Sequence, residues 1–434
     1  MQIIKYPEKE TWANLLTRPT ARLKEIEKKV KPILRKVKKK GDKALLYYAL
    51  ELDKAVLTDL LVSQEEIQEA KKQVSRPLKQ AIAKAYKNIE KFHLAQQEKF
   101  KPVSTMAGVT CWRKSVPIQR VGFYIPGGTA PLFSTVLMLG IPAKIAGCEQ
   151  VIMTSPPNKE GKIHPAILYT ADLVGVSKII KAGGAQAIGA LAYGTSQTPR
   201  VYKIFGPGNQ FVTAAKQLVA KQGVAIDMPA GPSEVAILAD ESANPAFIAA
   251  DLLSQAEHGI DSQTLLVTTS EEIIQKVAIE LFSQIEKLPR KEMARVSMTN
   301  SRCFLVRSNE EALDLLNEYA PEHLIIATQD AKELAEKVIN AGSVFLGNYT
   351  PEAAGDYASG TNHTLPTNGF AKAYSGVSLD SFMKKITFQH ITEEGIQNIG
   401  AVVEKMAEAE MLTAHKEAIS IRLRYLQESQ TNNP

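Results

Sequence analysis

Along most of the chain, short aliphatic runs alternate with longer stretches whose apolar residues recur at helical spacing. The first hundred residues are the exception, because helical spacing dominates there. Leu23, Ile26, Val30, Ile33 and Leu34 recur at intervals of three, four and one within "RLKEIEKKVKPILRKVKKKGDK", and "LKQAIAKAYKNIEKF" keeps the same period. Ser63 and Glu66 give a capping box before "IQEAKKQV". Beyond this region "RVGFYIPGG", "QVIMTSPP", "KIIKAGG" and "YKIFGPGN" read as strands, separated by helices such as "PAILYTADLVGV" and "QAIGALAYG". A second series follows "MPAGPSE": "EVAILAD", "TLLVTT", "CFLVR", "HLIIAT" and "SVFLG", with Ser308 and Glu311 offering another capping box.

Near-continuous Val, Ile and Leu in strands that alternate with helices signify parallel sheets covered on both faces. The predicted fold is therefore α/β: two doubly wound, incomplete Rossmann-like parallel-sheet domains with helical N- and C-terminal extensions. The expected division is an arm over 1–20, a discontinuous first α/β domain of 21–120 with 232–380, a nested second α/β domain over 121–231, and a helical C-terminal domain over 381–434. From about residue 393 the chain reads as helix, an appendage and not a third sheet.

Composition adds limits. At 434 residues, 44% hydrophobic and 23% charged, the chain suits a soluble globular protein of two or three domains. Much of the +6 formal net charge lies in residues 22–43, where the apolar residues make a solvated helix face a better reading than a nucleic-acid surface. Three cysteines without paired spacing suggest neither a disulfide framework nor a metal knuckle, which fits a reducing compartment. With no apolar signal core and no stretch approaching about 20 apolar residues, a cytoplasmic protein is expected.

Ligands of doubly wound sheets bind beyond the carboxyl ends of the strands. Gly127 and Gly128, Gly183 and Gly184, and Gly206 and Gly208 make three turns there whose backbone could approach a phosphate, or could simply turn tightly. None completes GxGxxG, and GxxxxGK[ST] is absent. In "DLLSQAEHGIDSQT", Gln255 and His258 lie three apart at a helix end that Gly259 is placed to cap. A cap on the last carbonyls and a shared binding face both remain open. Glu322 and His323, just before a strand in "YAPEHLIIAT", could form an acid/base pair or a surface pair. "YTPEAAGDYASGTNHTLPTNGFAKAYSG", with Asp356 and His363, reads as a long loop, and Glu410 and His415 read as a solvated helix face. Two imidazoles, a carboxylate and an amide oxygen would suit zinc, although HExxH is absent and Gln is a rare ligand. A zinc hydrolase, a thiol dehydrogenase using Cys111 or Cys148, and a nucleotide-binding module are the alternatives.

From about residue 100 the chain resembles the histidinol dehydrogenases. The resemblance rests on "YIPGG-APLFSTVLM-G-PA-IAGC", "GGAQAI-ALAYGT", "GPGN-FV--AK", "IDMPAGPSEV", "DLLSQAEHG", "APEHL" and "AGSVFLG-YTPE--GDY-SGTNH-LPT". It implies four-electron oxidation of L-histidinol to L-histidine through the bound aldehyde, with one zinc per subunit and NAD. It also implies that Gln255, His258, Asp356 and His415 ligate zinc, that His323 is the general base, and that Glu322 activates water. Ser233, His363 and Glu410 would contact substrate, as would the ligands and the acid/base pair; Tyr124, Gln186 and Asn209 would contact NAD. The resemblance further implies a homodimer in which His415 and Glu410 complete the partner's site, with no nucleic-acid or membrane partner.

Overall fold

The computed structural model describes residues 1–19, 23–127, 130–229 and 231–431, so Gly128 of the first glycine turn lies outside the described residues. In chain order the strands are β1 (Gln2–Lys5), β2 (Val103–Met106), β3 (Val109–Pro117), β4 (Arg120–Tyr124), β5 (Gln150–Ser155), β6 (Lys178–Lys181) and β7 (Lys203–Phe205). They continue as β8 (Ala225–Ile226), β9 (Glu234–Ala239), β10 (Gln263–Thr268), β11 (Arg302–Leu305), β12 (His323–Ala327), β13 (Ser343–Leu346) and β14 (Met383–Ile391). The chain divides into two compact units, Met1–Gln96 with Ile118–Phe382, and Gln97–Pro117 with Met383–Pro434.

The first unit holds both expected parallel sheets. One is six-stranded in the order β1-β11-β10-β9-β12-β13, and the other five-stranded in the order β6-β5-β4-β7-β8. In β9, β10 and β12 every residue is buried, which is why their sequences are aliphatic without polar alternation. Successive residues nonetheless face opposite cores. Ala236, Leu238, Leu324 and Ile326 meet the helix Asn309–Tyr319, while Val235, Ile237, Leu266 and Ile325 meet the helices Pro245–Ala256 and Glu271–Ile285. The strand order reverses between β9 and β12, which opens a crevice at their ends.

In the five-stranded sheet the reversal falls at β4, between β5 and β7. There Gly206 has φ +122°, and a Cβ would come within 2.1 Å of the Tyr124 carbonyl oxygen, so only glycine lets this turn cross the end of β4. A buried ion pair fixes the same turn. Lys216 Nζ lies 2.5 Å from Asp227 Oδ1 and donates to the Gly206 carbonyl at 2.9 Å, while Asp227 Oδ2 accepts the Gly206 N–H at 2.8 Å.

The basic run becomes the helix Leu23–Lys40. Its Ile26, Val30, Leu34 and Val37 are buried against residues of the helices Gly184–Tyr193 and Gln210–Ala220. Each such side chain contributes about 1.5–3 kcal/mol by leaving water. The lysines are the solvated face of a core helix. The Ser63–Glu66 capping box forms with both halves present. At Ser308 only the serine half forms; Glu311 turns its carboxylate to the Arg307 N–H instead.

Four sequence expectations need correcting. The N-terminal arm begins with a strand, β1, which extends the six-stranded sheet beside β11. The second unit contains a three-stranded antiparallel sheet, β14-β3-β2, ahead of the helices Glu393–Ala409 and Thr413–Thr431. Gly259 is not a left-handed cap: the helix ends at Ala256, followed by Glu257 in right-handed geometry. The long loop contains a helix, Glu352–Tyr357.

Candidate active site

Three segments of the first unit meet at the amino ends of β9 and β12. Gln255 comes from the last turn of the helix Pro245–Ala256, Glu322 and His323 from the entrance of β12, and Glu352 and Asp356 from the helix Glu352–Tyr357. Because Glu352 and Asp356 are four apart on one helix, they share a face. His323 is the hub. Its Nδ1 lies 3.6 Å from Glu322 Oε2 and 3.7 Å from Glu352 Oε1, and its Nε2 lies 3.5 Å from Asp356 Oδ1. Gln255 Nε2 is 3.4 Å from both Glu322 Oε2 and His323 Nδ1. Extended neighbours point apart, yet Glu322 stands one residue ahead of the strand and its carboxylate turns back to the imidazole.

The cluster is densely charged for so buried a place: Glu322, His323 and Glu352 are 7%, 4% and 1% exposed. Burial pushes the Glu322 carboxyl up to about 8, against the pull of His323. Burial likewise drives Glu352 well above the ordinary carboxylate range. For His323 burial opposes the charged form, but Glu352, Glu322 and Asp356 outweigh it and raise the imidazole well above its usual value. Asp356 is raised by burial and held below its usual value by His323. Carboxylates thus outnumber the positive groups that could balance them.

Such a place suits a cation. His323, Glu352 and Asp356 each offer a ligand atom, all within 4.8 Å of one another. Among the described residues the buried Gln255 Oε1 and Glu352 Oε2 find no hydrogen-bond partner, which leaves two oxygen lone-pair sites ready. A divalent ion entering among these groups would compete with their protons. Imidazole, carboxylate and amide oxygen together fit zinc or a similar borderline ion. Glu352 is the member that the sequence reading missed. Its signal was its place four residues before Asp356, hidden by reading the segment as loop.

His258 follows the helix end, with its N–H donating to the Gln255 carbonyl at 3.2 Å; the residue is partly open to solvent, while its imidazole sits within reach of the Asp356 charge. Desolvation first lowers its pKa, with Asp356 opposing. His363 joins the two halves of the unit: its Nδ1 meets the Asp356 carbonyl at 2.8 Å and its Nε2 meets Thr135 Oγ1 at 3.1 Å. Thr135 lies in the first turn of the helix Phe133–Ala146, which follows the first glycine turn of the five-stranded sheet. The carboxyl ends of one sheet and the amino ends of the other therefore border a common region. The carboxyl-end rule locates the glycine turns, and the acid/base cluster occupies the opposite end of its own sheet.

Tyr124 is buried and its hydroxyl accepts the Gly184 N–H at 3.2 Å. Gln186 is buried with Oε1 unpartnered, and Asn209 Oδ1 caps the helix Gln210–Ala220. Ser233 immediately precedes β9. Glu410 and His415 are exposed and belong to the second unit. Glu410 caps the end of the helix Glu393–Ala409 and His415 lies in the helix Thr413–Thr431, because Met411 (φ +59°) breaks the single helix expected there.

Two covered parallel sheets with a buried carboxylate–imidazole cluster at a strand crevice place the chain among α/β enzymes. A family model described as Histidinol dehydrogenase matches residues 16–423. The chain is 61% identical to a histidinol dehydrogenase of Bacteroides thetaiotaomicron, over 98% of this chain and 100% of that one. It is 51% identical to one of Campylobacter jejuni, over 98% and 100%. A crystal structure of the histidinol dehydrogenase of Elizabethkingia anophelis superposes with a TM-score of 0.96 at 55% identity, covering 98% of this chain and 99% of that one. The chain belongs to the histidinol dehydrogenase family and is an oxidoreductase.

Proposed function

We propose that this chain oxidises L-histidinol to L-histidine through a bound aldehyde, as a zinc- and NAD-dependent enzyme of histidine biosynthesis in the cytoplasm. The observation that carries the reading is the convergence of Gln255, Glu322, His323 and Asp356 on one buried cluster within a chain of this family. Gln255, His258 and Asp356 would hold zinc, with His415 supplied by a second copy of the chain. Zinc, when bound, supplies a charge that grips and orients the substrate; NAD, when bound, accepts hydride.

His323 serves as general base and takes the hydroxyl proton of the substrate, then of the hydrated aldehyde. Glu322, beside it, draws a proton from the water that hydrates the aldehyde. Ser233, His363 and the second copy's Glu410 bind and orient the substrate. Tyr124, Gln186 and Asn209 face NAD from the glycine turns, which explains a dinucleotide site without GxGxxG. A nested α/β domain over 121–231 within a discontinuous one is part of the same proposal.

Two variants test the assignments. His258→Ala is expected to lose both metal and activity, whereas His323→Ala keeps metal and loses about 10²–10⁴ in turnover. Metal analysis and NADH absorbance read both. Full zinc and activity in His258→Ala would remove the ligand assignment.

A further inference from the structure

Arg18 lies outside the cluster, yet it ties together the two strand entrances that carry it. Its guanidinium donates to both carboxylate oxygens of Glu234, at 2.5 and 2.9 Å, and to the Tyr319 carbonyl at 2.7 Å. It also stacks on the Tyr319 ring, 3.9 Å from the centroid. Glu234 opens β9; Tyr319 ends the helix that leads through Ala320 and Pro321 to Glu322 and His323. Both ionic side chains are shielded, 13% and 2% exposed, and the Asn368 N–H adds a third bond to the same carboxylate at 2.8 Å.

The backbone of Glu234 in turn holds both reactive side chains. Its N–H donates to Glu322 Oε2 at 2.9 Å, and its carbonyl faces His323 Nδ1 at 3.1 Å. A carbonyl can only accept, so Nδ1 donates to it, and this contact fixes the ring with Nε2 turned towards Asp356 Oδ1, 3.5 Å away. One residue therefore orients the imidazole and aims the neighbouring carboxylate.

We infer that Arg18 is a positioning residue for catalysis: by clamping Glu234 to the Tyr319–Ala320 turn it keeps the Glu234 backbone where it orients the His323 ring and the Glu322 carboxylate. This rests on the assignment of His323 as base. A bidentate, stacked guanidinium suits the task in a way that an ammonium cannot match, since Lys lacks the planar fork.

Steady-state oxidation of histidinol with NAD tests it, together with thermal melts and metal analysis. Misplacement on the scale of an ångström costs on the order of 100-fold in rate. Arg18→Met is thus expected to lose about that much in kcat, with the histidinol KM changing by less than about threefold and metal retained. Arg18→Lys, which keeps the charge opposite Glu234, should recover about tenfold of the loss. A merely structural role would lower the folded fraction and leave kcat per folded enzyme unchanged, and that result overturns the inference. A loss carried by KM, or equal losses in both variants, overturns it too. If Arg18→Met does not fold, a folded Arg18→Lys decides: an intermediate kcat supports the clamp and a wild-type kcat rejects it. His323→Asn, measured alongside, separates the two readings. Retained turnover there removes the base assignment, whereas an inactive His323→Asn beside a fully active Arg18→Met removes the role of Arg18 alone.

Discussion

Replacing Glu322 by glutamine should stabilise the fold while impairing turnover. The carboxyl rises from an ordinary 4.5 to about 8 because it is buried. The raised value belongs to the folded state, so the stability this group contributes is complete below pH 4.5 and is lost as pH rises through about 8. Up to pH 7 the folded chain retains a proton that the unfolded chain has released, at about 1.36 kcal/mol for each pH unit, or about 3 kcal/mol in all. Glutamine has the same shape, can accept the Glu234 N–H and never ionises. The variant should match the wild type in stability near pH 4.5 and exceed it by about 3 kcal/mol at pH 7. Urea unfolding of both proteins, stripped of metal with a chelator, across pH 4.5–8 measures the difference. A flat difference across that range, or a wild type more stable at pH 7, would refute the reasoning. Its sense is functional: the site keeps a carboxylate that the fold would be more stable without.

Other outcomes follow from single contacts. Cys148→Ala should keep most of its turnover, because burial pushes the thiol up to about 12 and leaves almost no thiolate at neutral pH; a loss of several orders of magnitude would favour thiol chemistry. Lys216→Met removes the ammonium paired with the buried Asp227 carboxylate and should cost about 3–5 kcal/mol in denaturant unfolding; an unchanged midpoint would show the pair to be dispensable.

The parallel sheets were legible because strands buried on both faces must be aliphatic throughout, as in "EVAILA" and "QTLLVT". The antiparallel sheet was not. Residues of β14 are largely exposed and mix lysine, threonine and glutamine with isolated apolar positions, and its partner β3 lies more than 260 residues away in sequence. The site was half visible. Gln255, Glu322, His323 and Asp356 stand in polar stretches beside apolar elements, where chemistry is expected. Glu352 was hidden once its segment was read as loop, and Arg18 was invisible, because an arginine on an arm gains meaning only from what it touches.

In the proposed reaction one cluster carries an alcohol through the aldehyde to the acid without releasing it. The yield of NADH per histidinol consumed, at limiting histidinol and excess NAD, tests it most directly. Two equivalents, with histidine as product, are the expected result. One equivalent, with the aldehyde free in solution, or no NADH at all from the metal-loaded protein, would contradict it.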